Sequence, residues 1–320
     1  MLGIGLTENI PIREQVEVIR YAAELGYESA WANQGRSRDA FAICQAWAAA
    51  VPGLTTGISV VPVIQQTPLV AAAHAATLSE LTGGKFILGL GSASRYARNG
   101  LHITSPLGLM RDYVKAVRGF LAGETVNVRG EAVHVQDDKL DIRPLPPPAP
   151  VYVAALGPKM KQLAGEIADG VLLNWNTEED VRQAREHVAT GAARAGRDPK
   201  QVRLCGYVRV SVDGDREKAR AAMAVQAARY ASSANYRANF ERMGFKATTD
   251  RLPNQPQEER FTGADEAMLR AVSLYGTAAE VRDRLPRMLA LYDDAIIRIV
   301  PARPGLDSIR AIVEACAPST

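Results

Sequence analysis

The sequence predicts a single parallel (β/α)8 barrel with two loop insertions. Three observations predict it. Short β-branched runs alternate with longer Ala/Leu/Arg-rich helical runs; the strand-like runs number eight; and the 320-residue length is one that an α/β barrel occupies as one domain.

The first unit is "LGIGL" at 2–6 with a helical pattern over 11–25, and the second is "ESAWA" at 28–32 with 39–51. "TTGISVV" at 55–61 precedes a helix over 68–82, and "KFILGLG" at 85–91 one over 106–122. The third strand is unusual because Pro62 sits inside the run Ile58, Val60, Val61, Val63, Ile64. Proline offers no N–H to a ladder, so the strand must be an edge or carry a bulge there. After Pro144 the alternation resumes with "PVYVAAL" and a helix from about Lys159 to Ile167, then "GVLLNW" and a helix from about Glu178 to Ala195. "VRLCGYVRVSV" is followed by a helix from about Arg216, and "DAIIRIVP" by one over 306–316.

Two segments interrupt this rhythm. The insertion at about 125–148 reads as a β-hairpin around Arg129-Gly130 and a stiff proline-rich connector. The other, 233–263, is long, polar and without a clear period, the mark of a closing lid or of disorder.

With 47% hydrophobic and 23% charged residues and a net charge of +3, the composition is that of a globular protein and gives no reason to expect a nucleic-acid partner. The first strand begins at Leu2, leaving no room for a leader, and no apolar run is long enough to span a membrane. Cys44, Cys205 and Cys316 are far apart and the four histidines form no cluster, so no metal is expected and a reducing cytoplasm is.

A barrel of this kind builds its site where strands end. Those ends carry Thr7, Glu8 and Asn9, then "WANQGRSRD" with Asn33 and Gln34, "SVVPVIQQTP", "GLGSASRYAR", "AALGPKM" and "LNWNTEED". They supply glycines, amides, hydroxyls and arginines but almost no acid, which suits a large planar ligand better than hydrolysis. "GLGSAS" alone is no more than a strand-to-loop turn, lacking the third glycine of a dinucleotide fingerprint. "ALGPKM" says more: Gly157 then Pro158 opens a helix whose free N–H groups and dipole favour an anion, and Lys159 adds charge.

The combination "GYESAWANQGRSRDAF", "GISVVPVIQQTP", "LTGGKFILGLGS", "VYVAALGPKMKQLAGEIADGVLLNW" and "YGTAAEVRDRL" resembles the luciferase-like monooxygenase superfamily, and within it the branch of methylenetetrahydromethanopterin reductase-like proteins that use the deazaflavin coenzyme F420. The match runs from Leu2 to about Pro301 and implies one bacterial luciferase-like barrel over 1–320. It implies a third-strand bulge with a cis peptide at Ser59-Val60 pressing on the cofactor ring, an all-trans bulge being the plainer alternative. Gly91 and Ser92 would approach the ring or its chain, while Ala155, Leu156, Gly157, Pro158 and Lys159 would line the side chain and phosphate. Arg95 would add a phosphate contact. Asn174 and Trp175 would lie nearby, unless Trp175 is simply core. Where sugar-phosphate-oxidising relatives carry adjacent Asp and His, this chain has Gln34 and Gly35, so their base chemistry is not expected.

The resemblance implies an oxidoreductase moving a hydride between F420 and a small organic substrate, reducing C=N, C=C or C=O. The alternatives are a monooxygenase using reduced FMN and a non-catalytic flavin-binding protein. Glu8 is the acid nearest the mouth and a candidate proton donor, with Tyr96 or a water held by Asn33 or Gln34 as rivals; a charge at a helix N-terminus is its ordinary explanation. The nearly all-apolar helices "AFAICQAWAAAV" and "LVAAAHAATL" further predict a homodimer.

Overall fold

The computed structural model describes residues 1–6, 10–35, 38–92, 105–130, 132–251 and 264–318. Its elements follow in order: β1 Leu2–Gly5, α1 Ile12–Glu24, β2 Ser29–Ala32, α2 Ala40–Ala50, β3 Thr55–Pro62, α3 Pro68–Leu81, β4 Phe86–Gly91 and α4 Pro106–Leu121. The hairpin β5 Val126–Arg129 and β6 His134–Asp138 comes next, then β7 Val151–Ala154, α5 Pro158–Ile167, β8 Gly170–Leu173 and α6 Glu178–Arg194. The chain continues through β9 Arg203–Val212, α7 Arg216–Ala231, α8 Ala234–Arg242, α9 Lys246–Arg251, α10 Glu266–Val272, β10 Leu274–Gly276, α11 Ala278–Leu289, β11 Asp294–Ile299 and α12 Leu306–Ala315.

Among the described residues, eight parallel strands close in the order β1-β2-β3-β4-β7-β8-β9-β11, as the βα alternation predicts. β9 faces β3 across this ring, and β11 faces β4. A ninth strand, absent from the sequence-based assignment, is β10, which pairs with Val210–Val212 at the far end of β9. β9 is long enough to change partners on one edge. Its first residues, Arg203 to Gly206, pair with β8, and its last pair with β10.

Local chemistry sets the helix starts. Asp39 accepts from the Ala42 amide at α2, Thr67 from Val70 at α3, Ser105 from Gly108 at α4 and Thr177 from Asp180 at α6. Pro68 and Pro106 occupy first-turn positions where no N–H is needed. Thr277 and Glu280 form a reciprocal capping box at α11.

The barrel interior is filled by Trp31, Ile87, Tyr152, Leu172, Cys205 and Ile296. Trp31 fits only because its neighbours lack side chains: a Cβ on Gly57 would meet its Cε3 and Cζ3 at 2.6 Å. At the floor, Asp294 accepts from Arg203 at 2.6 and 2.7 Å and from the Tyr152 hydroxyl at 2.9 Å. This plug leaves the C-terminal ends of the strands as the open end.

The ladder between β3 and β4 shifts register between Ile58 and Val61, and the Ser59-Val60 peptide is cis. The bulge is therefore where Pro62 suggests it. Pro62 lies opposite Gly91, and the Val63 amide makes the next bond, to the Gly91 carbonyl at 3.0 Å. Proline is tolerated because its neighbour supplies the donor.

The expected hairpin is present as β5 and β6, antiparallel. The described part of 233–263 carries two helices, α8 and α9. The sequence hid α8 because its buried positions are polar as well as apolar, Asn239 beside Phe240. Trp175, Ala227, Phe240, Met268 and Tyr275 belong to a second hydrophobic core, built from α7, α8 and α10 beside the barrel end.

Candidate functional site

Inward-facing positions alternate along each strand, so the residues two and four past the Trp31 layer form the mouth. They are Asn33 after β2, Ser59 and Val60 on β3, Gly91 on β4, Ala154 on β7, Asn174 after β8, Tyr207 and Arg209 on β9, and Arg298 on β11. A Cβ on Gly91 would meet Val60 Cγ2 at 2.7 Å, so glycine is what lets Val60 lie flat against the neighbouring strand.

Tyr207 spans the mouth. Its hydroxyl lies 2.6 Å from Ser59 Oγ, 2.7 Å from the Ser59 carbonyl and 2.8 Å from Asn33 Oδ1, tying β9 to the bulge opposite. One hydroxyl proton serves one acceptor, and the Ser59 hydroxyl donates in return. Burial raises the Tyr207 pKa above its ordinary value, against the lowering effect of Arg298. The phenol therefore stays neutral at physiological pH.

Arg209 is 3% exposed and stacked, its guanidinium carbon 4.3 Å from the Trp175 ring centre and 4.6 Å from that of Tyr230. It donates to Asn174 Oδ1 at 3.0 Å, and Asn174 Nδ2 donates to the Tyr236 hydroxyl at 2.8 Å. Trp175 is fully buried with a positive φ of 57°, bending the chain away from the barrel into the second core. The core explanation of Trp175 thus holds, and its face covers Arg209.

α8 roofs two of the strand ends. Asn239 donates to the Trp175 carbonyl at 3.3 Å, and Arg242 donates to Leu156 O at 3.4 Å and to Asn239 Oδ1 at 2.9 Å. Beneath lies Lys161, 2% exposed, donating to both Asp180 oxygens at 3.0 Å, with Asn176 bonded to the same carboxylate. Burial lowers the Lys161 pKa and Asp180 opposes that shift. The segment 156–158 is thereby held between a buried ion pair and a roof helix.

At the start of α5 no side chain caps the helix, and a Cβ on Gly157 would meet nothing within 4 Å. Pro158 and Lys159 are exposed, Leu156 and Gly157 half-buried and Ala155 buried. An open, uncapped helix start of this kind fits an anion.

The sequence-predicted residues divide accordingly. Asn33, Ser59, Val60, Gly91 and Asn174 share the mouth, Ser92 follows Gly91, and 155–159 edge it. Gln34 caps α2, its Oε1 accepting from the Ala40 amide at 2.8 Å. Glu8, Arg95 and Tyr96 lie outside the described residues. Tyr207, Arg209 and Arg298, on the seventh and eighth barrel strands, and Tyr236 and Arg242, on α8, are not among the sequence-predicted residues. The signal was present: in "RLCGYVRVSV" the residues Arg203, Cys205, Tyr207 and Arg209 share one face, and aliphatic Leu204, Val208 and Val210 the other.

Comparison with known proteins places these features in context. The family described as luciferase-like monooxygenase matches residues 2–294. The 5,10-methylenetetrahydromethanopterin reductase of Methanolobus tindarius is 31% identical over 69% of this chain and 68% of its own length. That of Archaeoglobus fulgidus is 27% identical over 88% of each. The structure of the coenzyme F420 dependent tetrahydromethanopterin reductase from Methanopyrus kandleri superposes with a TM-score of 0.84 at 23% identity, covering 99% of this chain and 97% of that one.

Proposed function

The chain belongs to the luciferase-like monooxygenase family, on its F420-dependent methylenetetrahydromethanopterin reductase-like branch, and from that premise we propose that it is an oxidoreductase moving a hydride between F420 and a small organic substrate, reducing C=N, C=C or C=O. The observation that carries this reading is the pairing of a flat Val60–Gly91 wall on β3 and β4 with the uncapped start of α5 after β7. The first would hold a planar ring and the second a phosphate tail.

When bound, F420 supplies or accepts the hydride at C5 of its ring. The protein's part is placement. Ser59 and Val60 face the ring, and Gly91 and Ser92 permit its close approach. Ala155, Leu156, Gly157 and Pro158 would line the tail, with Lys159 beside the phosphate and Asn174 towards the far side, while Trp175 stays buried behind Arg209. Arg95 is proposed as a second phosphate contact and Glu8 as the proton donor; Asn33 and Gln34 are proposed to hold water there.

Fluorescence titration of the purified protein with oxidised F420 and with FMN tests this, and F420 should bind more tightly. Equal or reversed affinities would favour the monooxygenase, detectable as oxygen consumption with reduced FMN. Tight binding without turnover across a broad substrate panel would favour the non-catalytic carrier.

We also propose a cytoplasmic homodimer. No helix among the described residues is long and apolar enough to cross a membrane, and the cysteines are free. On α3, Val70 and Leu81 are 41% and 54% exposed, which supports pairing through that face. A monomeric mass at micromolar concentration would defeat it.

A further inference from the structure

The ladder between β9 and β11 sets two charged pairs along the same wall. At the floor Arg203 meets Asp294, a carboxylate fully matched by its guanidinium. At the mouth the register places Arg209 directly beside Arg298, and both side chains turn inward, 3% and 6% exposed. Like charges side by side on neighbouring strands are unfavourable, and buried cations more so when no anion answers them. Among the described residues none does: neither arginine has a carboxylate within ion-pair distance. Arg298 donates to the Leu6 carbonyl, Arg209 donates to Asn174, and Arg209 Nε is buried without a partner.

The stacking of Arg209 between Trp175 and Tyr230 fixes the plane of its guanidinium. Tyr207 stands between the two cations, its ring centre 5.6 Å from the Arg209 guanidinium carbon and 5.3 Å from that of Arg298. A fixed planar fork with an unused N–H suits a planar oxyanion. We infer that the mouth holds a subsite for a carboxylate of the substrate, bracketed by Arg209 and Arg298. This deepens the proposed function and rests on it in placing substrate at the mouth. The carboxylate belongs to the substrate because β9 and β11 lie across the ring from β3 and β4, which face the cofactor.

The test uses the protein as purified, titrated with acetate and with acetamide at constant ionic strength set by chloride. Tryptophan emission is the readout, since Arg209 lies on the Trp175 ring. Acetate should give a saturable change that acetamide, its neutral isostere, does not. Arg209→Met and Arg298→Met should each weaken acetate binding by about tenfold to a hundredfold, the loss of a charge-assisted hydrogen bond, and Arg209→Lys should recover part of it. Acetate should bind equally well with F420 present. Equal responses to acetate and acetamide overturn the subsite, and this comparison needs no variant. Displacement of acetate by F420 also overturns it, assigning the anion position to the cofactor. Normal acetate binding in protein that fails to bind F420 would support the subsite while removing the cofactor reading.

Discussion

Tyr207→Phe removes one oxygen atom from the mouth and little else. The ring stays, with its packing against Arg209 and Arg298, while the contacts to Ser59 Oγ, Ser59 O and Asn33 Oδ1 at 2.6, 2.7 and 2.8 Å are lost together. One net hydrogen bond is worth about 1 kcal/mol, and a polar group left dry costs about 1–3 kcal/mol more. Tyr207 is half-buried, so water answers some of the orphaned groups, and the sum is about 1–2 kcal/mol. For a chain of 320 residues that is a fall of roughly 1.5–3 °C in melting temperature. The same bonds hold Ser59 and Val60 in place, so deazaflavin affinity should fall about fivefold to thirtyfold, the same free energy. The assay pairs thermal unfolding with a fluorescence titration. An unchanged dissociation constant and melting temperature would refute the view that Tyr207 braces the bulge. A drop in turnover of about two to four orders of magnitude at constant affinity would instead make the phenol a proton donor.

Three further outcomes are expected. Gly57→Ala drives a methyl to 2.6 Å from the Trp31 ring and should cost about 1–3 kcal/mol by denaturant unfolding, and a neutral result would mean that the plug is loosely packed. Glu8→Gln should lower turnover by roughly two to four orders of magnitude with cofactor affinity nearly unchanged; a lower melting temperature with normal turnover would assign Glu8 to the helix dipole. Arg303, donating at 2.6 and 2.7 Å, holds the Asp213 carboxyl down at about 2 from the ordinary 3.8. Because the folded-state value lies below the unfolded one, that stabilisation is fully present above about 3.8 and lost as the pH falls through about 2. Asp213→Asn should flatten that limb of the stability curve by less than about 1 kcal/mol, since Arg303 is solvent-screened.

The barrel was legible because each βα unit writes its own period; the caps Asp39, Thr67 and Thr177 emerge only with the structure. Pro62 announced the bulge for a local reason, the missing donor. The mouth was half legible. Glycines and amides after short strands stand out, whereas Tyr207 and Arg209 sit inside a long strand, where polarity shows only as an alternating face. Which cations meet is a matter of register, and Arg209 beside Arg298 follows from the pairing of two strands far apart in the chain. α8 was hidden for a different reason: buried Asn239 and half-buried Tyr236 are held through hydrogen bonds, so hydropathy does not record them.

The change of partner along β9 has a dynamic consequence. Its first half is locked into the closed ring, while its outer end is held on one edge by three residues of β10 and by the aromatic cluster around Trp175. Two cores joined through one strand can open at different free energies. Amides of α7, α8 and α10 should then exchange with deuterium through a partial opening that leaves the eight-strand ladder protected. Such breathing should uncover Leu156, Asn174 and Arg209 together, on a timescale set by the smaller core.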